Sequence, residues 1–148
     1  LNNKLGIEPL SNQMNSRLLF NILHSKKRMI KGLLLDQNII AGLGNIYVDE
    51  CLWKSNIHPE NISNKISKKK IIKLCKAIKS TLQSSIIANG TTVIDFTFLN
   101  GQSGKYSEQL NIFRKEGNPC PACSTIIQKK KVAGRGTHFC PKCQKKQY

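Results

Sequence analysis

Acidic residues are scarce in this sequence, which has 8 Asp and Glu against 24 Lys and Arg and a formal net charge of +16. With so few carboxylates, it offers no pair placed for general acid–base chemistry. Asp49 and Glu50 are adjacent on a predicted helix, so their side chains point in different directions. Residues 117–148 contain no acid and seven Lys or Arg. Such a balance favours a polyanionic partner, and nucleic acid is the commonest one.

Arginine is also scarce, and catalytic triads and long apolar runs are missing. No apolar run approaches the length of a membrane span, and the first residues lack the features of a signal peptide. No Ser/His/Asp or Cys/His arrangement is legible around the three histidines, His24, His58 and His138. Bidentate phosphate contacts must be few, because only four cations are Arg: Arg17, Arg28, Arg114 and Arg135.

Six cysteines are present, and four of them form two C-x-x-C pairs separated by sixteen residues: Cys120, Cys123, Cys140 and Cys143. This spacing predicts one structural Zn²⁺ held by four thiolates. Two disulfides, or four unrelated cysteines, are the alternative. Cys51 and Cys75 fall in apolar helical patterns and are expected to be buried thiols. A metal-type pattern without a secretory signal predicts a reducing, intracellular compartment.

The segment between the cysteine pairs is predicted to be a hairpin. Residues 126–133 run out, residues 134–136 turn, and residues 137–139 return. About thirty residues have too little apolar surface to fold alone, so the metal must close the module. Arg135 lies between two glycines at the predicted tip, where it could enter a phosphate-lined groove.

A second candidate anion site lies in the middle of the chain. Gly42, Gly44 and Asn45 form a predicted tight turn entering a helix. The free amides of Gly44, Asn45 and Ile46 would make an anion seat, but a packing turn with glycines for close contact is equally possible. The apolar side chains that follow are expected to be core rather than a stacking platform: Tyr47, Leu52 and Trp53.

Capping residues mark the other helices. Asn15 is the predicted N-cap of a first helix, and Ser67 that of a long helix ended by Gly90. His58 is expected to cap a helix C-terminus rather than to bind a ligand. Residues 111–115 are predicted to be a short strand. The long helix carries a lysine row that is either a solvated face or a phosphate track: Lys69, Lys73 and Lys76.

Five stretches together closely resemble the bacterial formamidopyrimidine-DNA glycosylases: residues 5–10, 30–36, 41–47, 56–59 and 133–141. Asn56 departs from a position where that family often has glycine. Those repair enzymes excise oxidised purines, notably 8-oxoguanine, and cut the abasic strand. The resemblance implies a mainly α fold, in which a helix–two-turn–helix domain over residues 1–110 precedes a β-hairpin zinc finger over 111–148. It also implies a lesion-capping loop at about 91–110.

The resemblance implies roles for individual residues. Asn45, with the amides of Gly44 and Ile46, would hold a phosphate beside the lesion. Lys26 and Lys31 would support the damaged nucleotide and contact DNA. The family assigns the arginine at Arg135 as the acid of δ-elimination, but a phosphate clamp is preferred because a guanidinium hardly ever gives up its proton. The lesion loop would use Thr91, Thr92 and Tyr106; it lacks the usual proline and has a lysine inserted.

The family's nucleophile is an N-terminal proline amine followed by a glutamate on a β-sandwich domain, and neither is present here. The chain is therefore expected to be the DNA-binding half of such an enzyme, inactive alone. Its expected partner is double-stranded DNA with an oxidised purine or abasic site. The chain is expected to act as a monomer and not to bind a membrane. Two alternatives stay open: a non-catalytic zinc-dependent DNA-binding module, and an endonuclease VIII-type glycosylase for oxidised pyrimidines.

Overall fold

The computed structural model describes residues 5–88 and 110–147. They form four α-helices, a short 3₁₀ turn and a two-stranded hairpin, which confirms the predicted fold class. No helix within those ranges is long and apolar enough to cross a membrane. The elements are α1 (Ser16–His24), α2 (Ile30–Leu35), α3 (Asn45–Lys54), the 3₁₀ turn (Ser63–Lys65), α4 (Lys68–Ala88), β1 (Gln128–Val132) and β2 (Arg135–Phe139).

Side-chain caps fix where two of the helices begin. Asn15 Oδ1 accepts a hydrogen bond from the Leu18 amide at 2.8 Å, and this starts α1. Ser67 Oγ accepts from the Lys70 amide at 3.3 Å at the start of α4. Each oxygen satisfies an amide that has no partner within the helix, as predicted. Gly90, the predicted end of α4, lies outside the described residues.

The lead-in segment, residues 5–10, packs against the segment before α3. Ile7 and Ile40 form a parallel bridge, and the Ile7 amide donates to Ile39 O at 3.0 Å. Gly6 permits this contact, because a Cβ there would lie 2.1 Å from the carbonyl carbon of Ile39. The lead-in thus holds the turn that precedes α3.

The four helices enclose one apolar core, in which α3 is central and almost wholly buried. Tyr47 and Leu52 are core residues, as predicted. Trp53 instead packs on a second cluster, beneath the hairpin. Cys51 and Cys75 are buried thiols, and burial raises the pKa of Cys51 to about 12. The lysine row of α4 is exposed, and the apolar residues that recur at helical spacing in the sequence are buried on its inward face: Ile71, Leu74, Cys75, Ile78 and Leu82.

The hairpin turns one residue earlier than predicted. Ala133 and Gly134 form a two-residue turn with φ of 53° and 78°, the left-handed geometry whose twist matches the paired strands. Arg135 and Gly136 therefore belong to β2, where Val132 pairs with Arg135 and Lys131 with Gly136. Arg135 adjoins the tip rather than forming it.

Residues 111–115 are not a strand, contrary to the prediction. The Glu50 carboxylate accepts hydrogen bonds from the amides of Asn111, Ile112 and Phe113 at 2.8–2.9 Å. Those amides are then unavailable to a neighbouring strand, and the segment turns around the carboxylate.

His58 is not the C-cap of a helix, contrary to the prediction. Helix α3 ends at Lys54, with Ser55 as its C-cap. His58 is buried three residues further on, where its Nδ1 accepts from the Glu60 amide at 3.0 Å and its ring meets the Phe139 ring edge-on at 5.0 Å. The histidine packs the helical part against the hairpin.

Candidate nucleic-acid interface and metal centre

The four predicted cysteine ligands converge. Their sulfur atoms all lie within 4.8 Å of one another. Cys123 Sγ is 3.4 Å from Cys140 Sγ and 3.5 Å from Cys143 Sγ, and Cys120 Sγ is 3.9 Å from Cys143 Sγ. A tetrahedral zinc with Zn–S bonds of about 2.3 Å sets sulfur atoms about 3.8 Å apart. The donor set fits one zinc ion.

Neighbouring donors stabilise negative charge on these sulfurs. The amides of Ala122 and Cys143 donate to the sulfurs of Cys120 and Cys140 at 3.4 and 3.3 Å. Hydrogen bonds from the hydroxyl and amide of Thr125 lower the pKa of Cys123 to about 6. Burial, followed by the neighbouring sulfurs, raises the pKa of Cys140 and Cys143. Zinc binds thiolates rather than thiols, so a bound Zn²⁺ would supply the positive charge that offsets this crowding of sulfurs.

The zinc finger contacts the helical part through residues in or next to its two cysteine pairs. Trp53 Nε1 donates to Cys120 Sγ at 3.3 Å, and Gln144 Nε2 donates to Ile57 O at 3.0 Å. Asn56 Nδ2 donates to Cys143 O at 3.3 Å. Asn56 has φ of 61°, a left-handed conformation that Gly adopts freely and Asn tolerates better than most residues. The exchange of glycine for asparagine therefore preserves the backbone and adds a contact to the finger.

A buried ion pair joins α2, α3 and β2. Lys31 Nζ donates to Asp49 Oδ1 at 2.6 Å, and both side chains are fully buried. Asp49 Oδ2 accepts from the His138 amide at 2.9 Å and lies 3.0 Å from His138 Nδ1. Burial lowers the pKa of Lys31, and the Asp49 charge opposes that shift.

The two predicted DNA-contacting elements meet at Gly136. Its carbonyl accepts from Asn45 Nδ2 at 3.1 Å and from Lys31 Nζ at 3.3 Å. Asn45 is the first residue of α3, after Gly44 as N-cap. The first amides of a helix point out of its end without intrahelical partners, which makes this end a potential anion seat. The start of α3 and the peptide beside Arg135 thus occupy one place.

The predicted binding residues differ in exposure. Arg135 and Lys26 are exposed, whereas Ile46 and Lys31 are buried. Within the described ranges, Arg135 makes no ion pair, and Asn45 Oδ1 is buried without a hydrogen-bond partner. The proposed lesion residues lie outside the described part of the chain: Thr91, Thr92 and Tyr106.

Asp49, Glu50 and His138 were missed as organising residues from the sequence. Their partners lie 18 to 89 residues away along the chain, and several of them are backbone amides. The available signal was the placement of two acids, in a chain with only eight, on a helix of otherwise apolar character.

Comparison with known proteins agrees with this arrangement. Residues 5–97 match the family described as the formamidopyrimidine-DNA glycosylase H2TH domain. The chain belongs to that family. Residues 117–146 match the zinc finger found in FPG and IleRS, which together with the clustered thiols supports one structural zinc.

The curated relatives of this formamidopyrimidine-DNA glycosylase family member are longer than this chain. The formamidopyrimidine-DNA glycosylase of Lactobacillus helveticus is 48% identical over 95% of this chain and 51% of its own length. That of Pelotomaculum thermopropionicum is 46% identical over 96% of this chain and 51% of its own. The chain spans about half the length of these relatives.

Solved structures give the same picture. The Lactococcus lactis Fpg in complex with abasic-site DNA has a TM-score of 0.84 and 40% identity, over 96% of this chain and 52% of that one. MutM in complex with DNA containing carbocyclic 8-oxo-G has a TM-score of 0.85 and 42% identity, over 96% of this chain and 51% of that one.

Proposed function

We propose that this chain is the DNA-binding part of a base-excision-repair glycosylase and AP lyase for oxidised purines. The observation that carries the proposal is the shared Gly136 carbonyl, which holds the start of α3 and the peptide beside Arg135 together. The start of α3 presents free amides and β2 presents the cation of Arg135. Because they lie at one place, both can contact the same sugar–phosphate strand.

The phosphate seat combines a helix end with an arginine. The amides at Gly44, Asn45 and Ile46 favour an anion, and the exposed Arg135 guanidinium can bind it in a bidentate manner. We assign Arg135 to a phosphate clamp rather than to δ-elimination acid, because its proton is held too tightly to be transferred. Lys26, exposed just after α1, would add a phosphate contact.

Lys31 takes a supporting role in this proposal. Its ammonium is fully buried and directed at Asp49 and Gly136, so it acts on DNA through the position of the finger. Thr91, Thr92 and Tyr106 remain the proposed residues of the loop over the extruded base, in which stacking and hydrogen bonds would read the lesion.

The substrate class follows from relatives whose solved complexes contain abasic-site, carbocyclic 8-oxo-G or FAPY-dG DNA. In the whole enzyme, an N-terminal proline amine would displace the base, form an imine and lead to β- and δ-elimination. The four cysteines would hold a structural zinc that closes the finger. These 148 residues alone would bind DNA as a monomer without cutting it, inside the cell where DNA is found.

We place the domain boundary between residues 110 and 111. Leu110 packs in the helical core, and Ile112 packs beneath the finger. Phe113 packs back on the helical core, so the two domains would share a firm interface rather than a free linker.

The test is binding of the zinc-loaded chain to matched duplexes. Tight, steeply salt-dependent binding to an abasic-site duplex, without a borohydride-trapped adduct, supports the proposal. A trapped adduct would refute inactivity of this half. Binding no stronger than to undamaged duplex would favour the non-catalytic module, and preference for an oxidised-pyrimidine duplex over 8-oxoguanine would favour the endonuclease VIII-type alternative.

A further inference from the structure

We propose that Asp49 is the positioning residue through which the zinc finger and the start of α3 act as one phosphate-binding unit. The inference rests on the proposed function, and it assigns to a buried carboxylate the coupling between Arg135 and the α3 amides. Asp49 touches neither of them, so its role would be exerted through Lys31 and β2.

Both oxygens of Asp49 are committed to different modules. Oδ1 accepts from Lys31 of α2 at 2.6 Å. Oδ2 accepts from the amide of His138 in β2 at 2.9 Å, and His138 Nδ1 is at 3.0 Å. With 1% of its surface exposed, Asp49 is shielded from water, and a charge pair so placed is strongly sensitive to loss of one partner.

The link continues from Asp49 to the candidate seat. Lys31, held by Asp49, also donates to the Gly136 carbonyl, which Asn45 of α3 contacts as well. That carbonyl lies one peptide away from Arg135. Loss of the Asp49 charge would leave the buried Lys31 ammonium unpaired, which is costly, so Lys31 must shift or lose its proton. Either response breaks the hydrogen bond from Lys31 to the Gly136 carbonyl, so the backbone beside Arg135 is no longer held in place.

A second ion pair between the modules provides the control. Glu60 pairs with Lys130 of β1 at 3.0 Å and with Lys146 at 3.5 Å; the two lysine side chains are 45% and 40% exposed, and the Glu60 side chain is 13% exposed. Pairs whose cations reach solvent contribute less to stability than fully buried pairs, because water and salt screen them. Glu60→Gln removes the same charge as Asp49→Asn, so both variants change long-range attraction to DNA equally.

The experiment measures binding of an abasic-site duplex at several salt concentrations for the wild type and four variants: Asp49→Asn, Arg135→Ala, the double variant and Glu60→Gln. Zinc content and helical circular dichroism are matched first. We expect Asp49→Asn to weaken binding by about tenfold. The slope of the logarithm of the binding constant against the logarithm of salt concentration (the salt slope) should become shallower by about 0.9, which corresponds to the loss of one phosphate contact. The double variant should bind no more weakly than Arg135→Ala, and Glu60→Gln should keep the wild-type slope. Additive losses, or a full slope in Asp49→Asn, would overturn the coupling.

A readout without DNA separates this inference from the proposed function. Amide hydrogen exchange in β2 should accelerate in Asp49→Asn and stay unchanged in Glu60→Gln. If Arg135→Ala leaves binding unchanged while exchange still accelerates, the clamp is wrong and the coupling holds. Unchanged exchange overturns the coupling. Should Asp49→Asn fail to fold, Lys31→Leu/Asp49→Leu removes both charges at once, and it should fold with zinc yet show the reduced slope.

Discussion

Trp53 donates its indole N–H to Cys120 Sγ at 3.3 Å, which connects α3 directly to the metal centre. Because Trp53 is the only tryptophan in the chain, all of the tryptophan fluorescence comes from the residue that contacts the metal centre. A zinc-bound thiolate would be a good acceptor for this bond, and Trp53 packs on the apolar cluster that includes Cys120 and Cys140.

Removing zinc with a chelator should therefore shift Trp53 emission to longer wavelength. Helical circular dichroism should change little, because the helical core is a separate apolar cluster from the one under the finger. Restoring zinc should reverse the shift. Emission that stays constant while metal analysis shows the zinc gone would contradict the docking of Trp53 on the metal centre.

Glu50 organises the entry to the finger and is expected to be costly to remove. Its carboxylate accepts from three backbone amides and from Asn111 Nδ2, and 2% of the residue is exposed. Glu50→Ala should lower the free energy of unfolding by about 3–5 kcal/mol, since several buried donors lose a charged acceptor. Urea denaturation of the zinc-loaded chain measures this. Glu50→Gln, which keeps one acceptor oxygen, should cost less; equal costs would mean that only side-chain volume matters.

The sequence predicts those features that depend on local chemistry. The caps at Asn15 and Ser67, the buried stripe of α4 and the convergence of four cysteines each follow from spacing within one segment. The sequence does not reveal the interface between the helical part and the zinc finger. The partners of Asp49 and Glu50 are distant in sequence or are backbone amides, and neither relation leaves a periodic pattern.

The hairpin shows the same limit on a smaller scale. Two glycines around Arg135 suggest a turn centred on the arginine, yet the left-handed residues are Ala133 and Gly134. Alanine at a left-handed position is disfavoured by local propensity, so strand register decided the turn. Ala133 there lies close to Gly32 of α2: a Cβ on Gly32 would be 3.3 Å from the Ala133 Cβ. Packing on α2 thus accompanies the unexpected conformation.

Asn56 should tolerate glycine and resist alanine. Its φ of 61° costs an alanine about 1–2 kcal/mol, whereas glycine adopts it without strain. Both substitutions lose the hydrogen bonds to Cys143 O and from Lys73 Nζ, so the difference between them isolates the backbone term. Thermal unfolding of the two variants measures that difference. An Asn56→Ala protein as stable as Asn56→Gly would show that the left-handed conformation is not required.

His58 should make the stability of the chain fall as the solution becomes acidic. Burial lowers the pKa of His58, with Glu60 opposing and Lys130 and Lys146 adding to the shift. The unfolded chain therefore takes up a proton near its ordinary pKa of about 6.5, while the folded chain does so only at lower pH. The contribution of His58 is complete above the unfolded value and is lost as pH falls towards the folded one.

The matched variant for this prediction is His58→Asn, whose amide oxygen can accept from the Glu60 backbone in place of Nδ1. Acid also competes with zinc for the thiolates, but that effect is common to both proteins. The difference in unfolding free energy between wild type and His58→Asn should therefore shrink as pH is lowered below about 6.5, because the histidine alone must gain a proton on unfolding. A difference that stays constant from neutral pH into the acid range would mean that His58 has the same pKa in both states, and that burial against Phe139 does not keep its ring neutral.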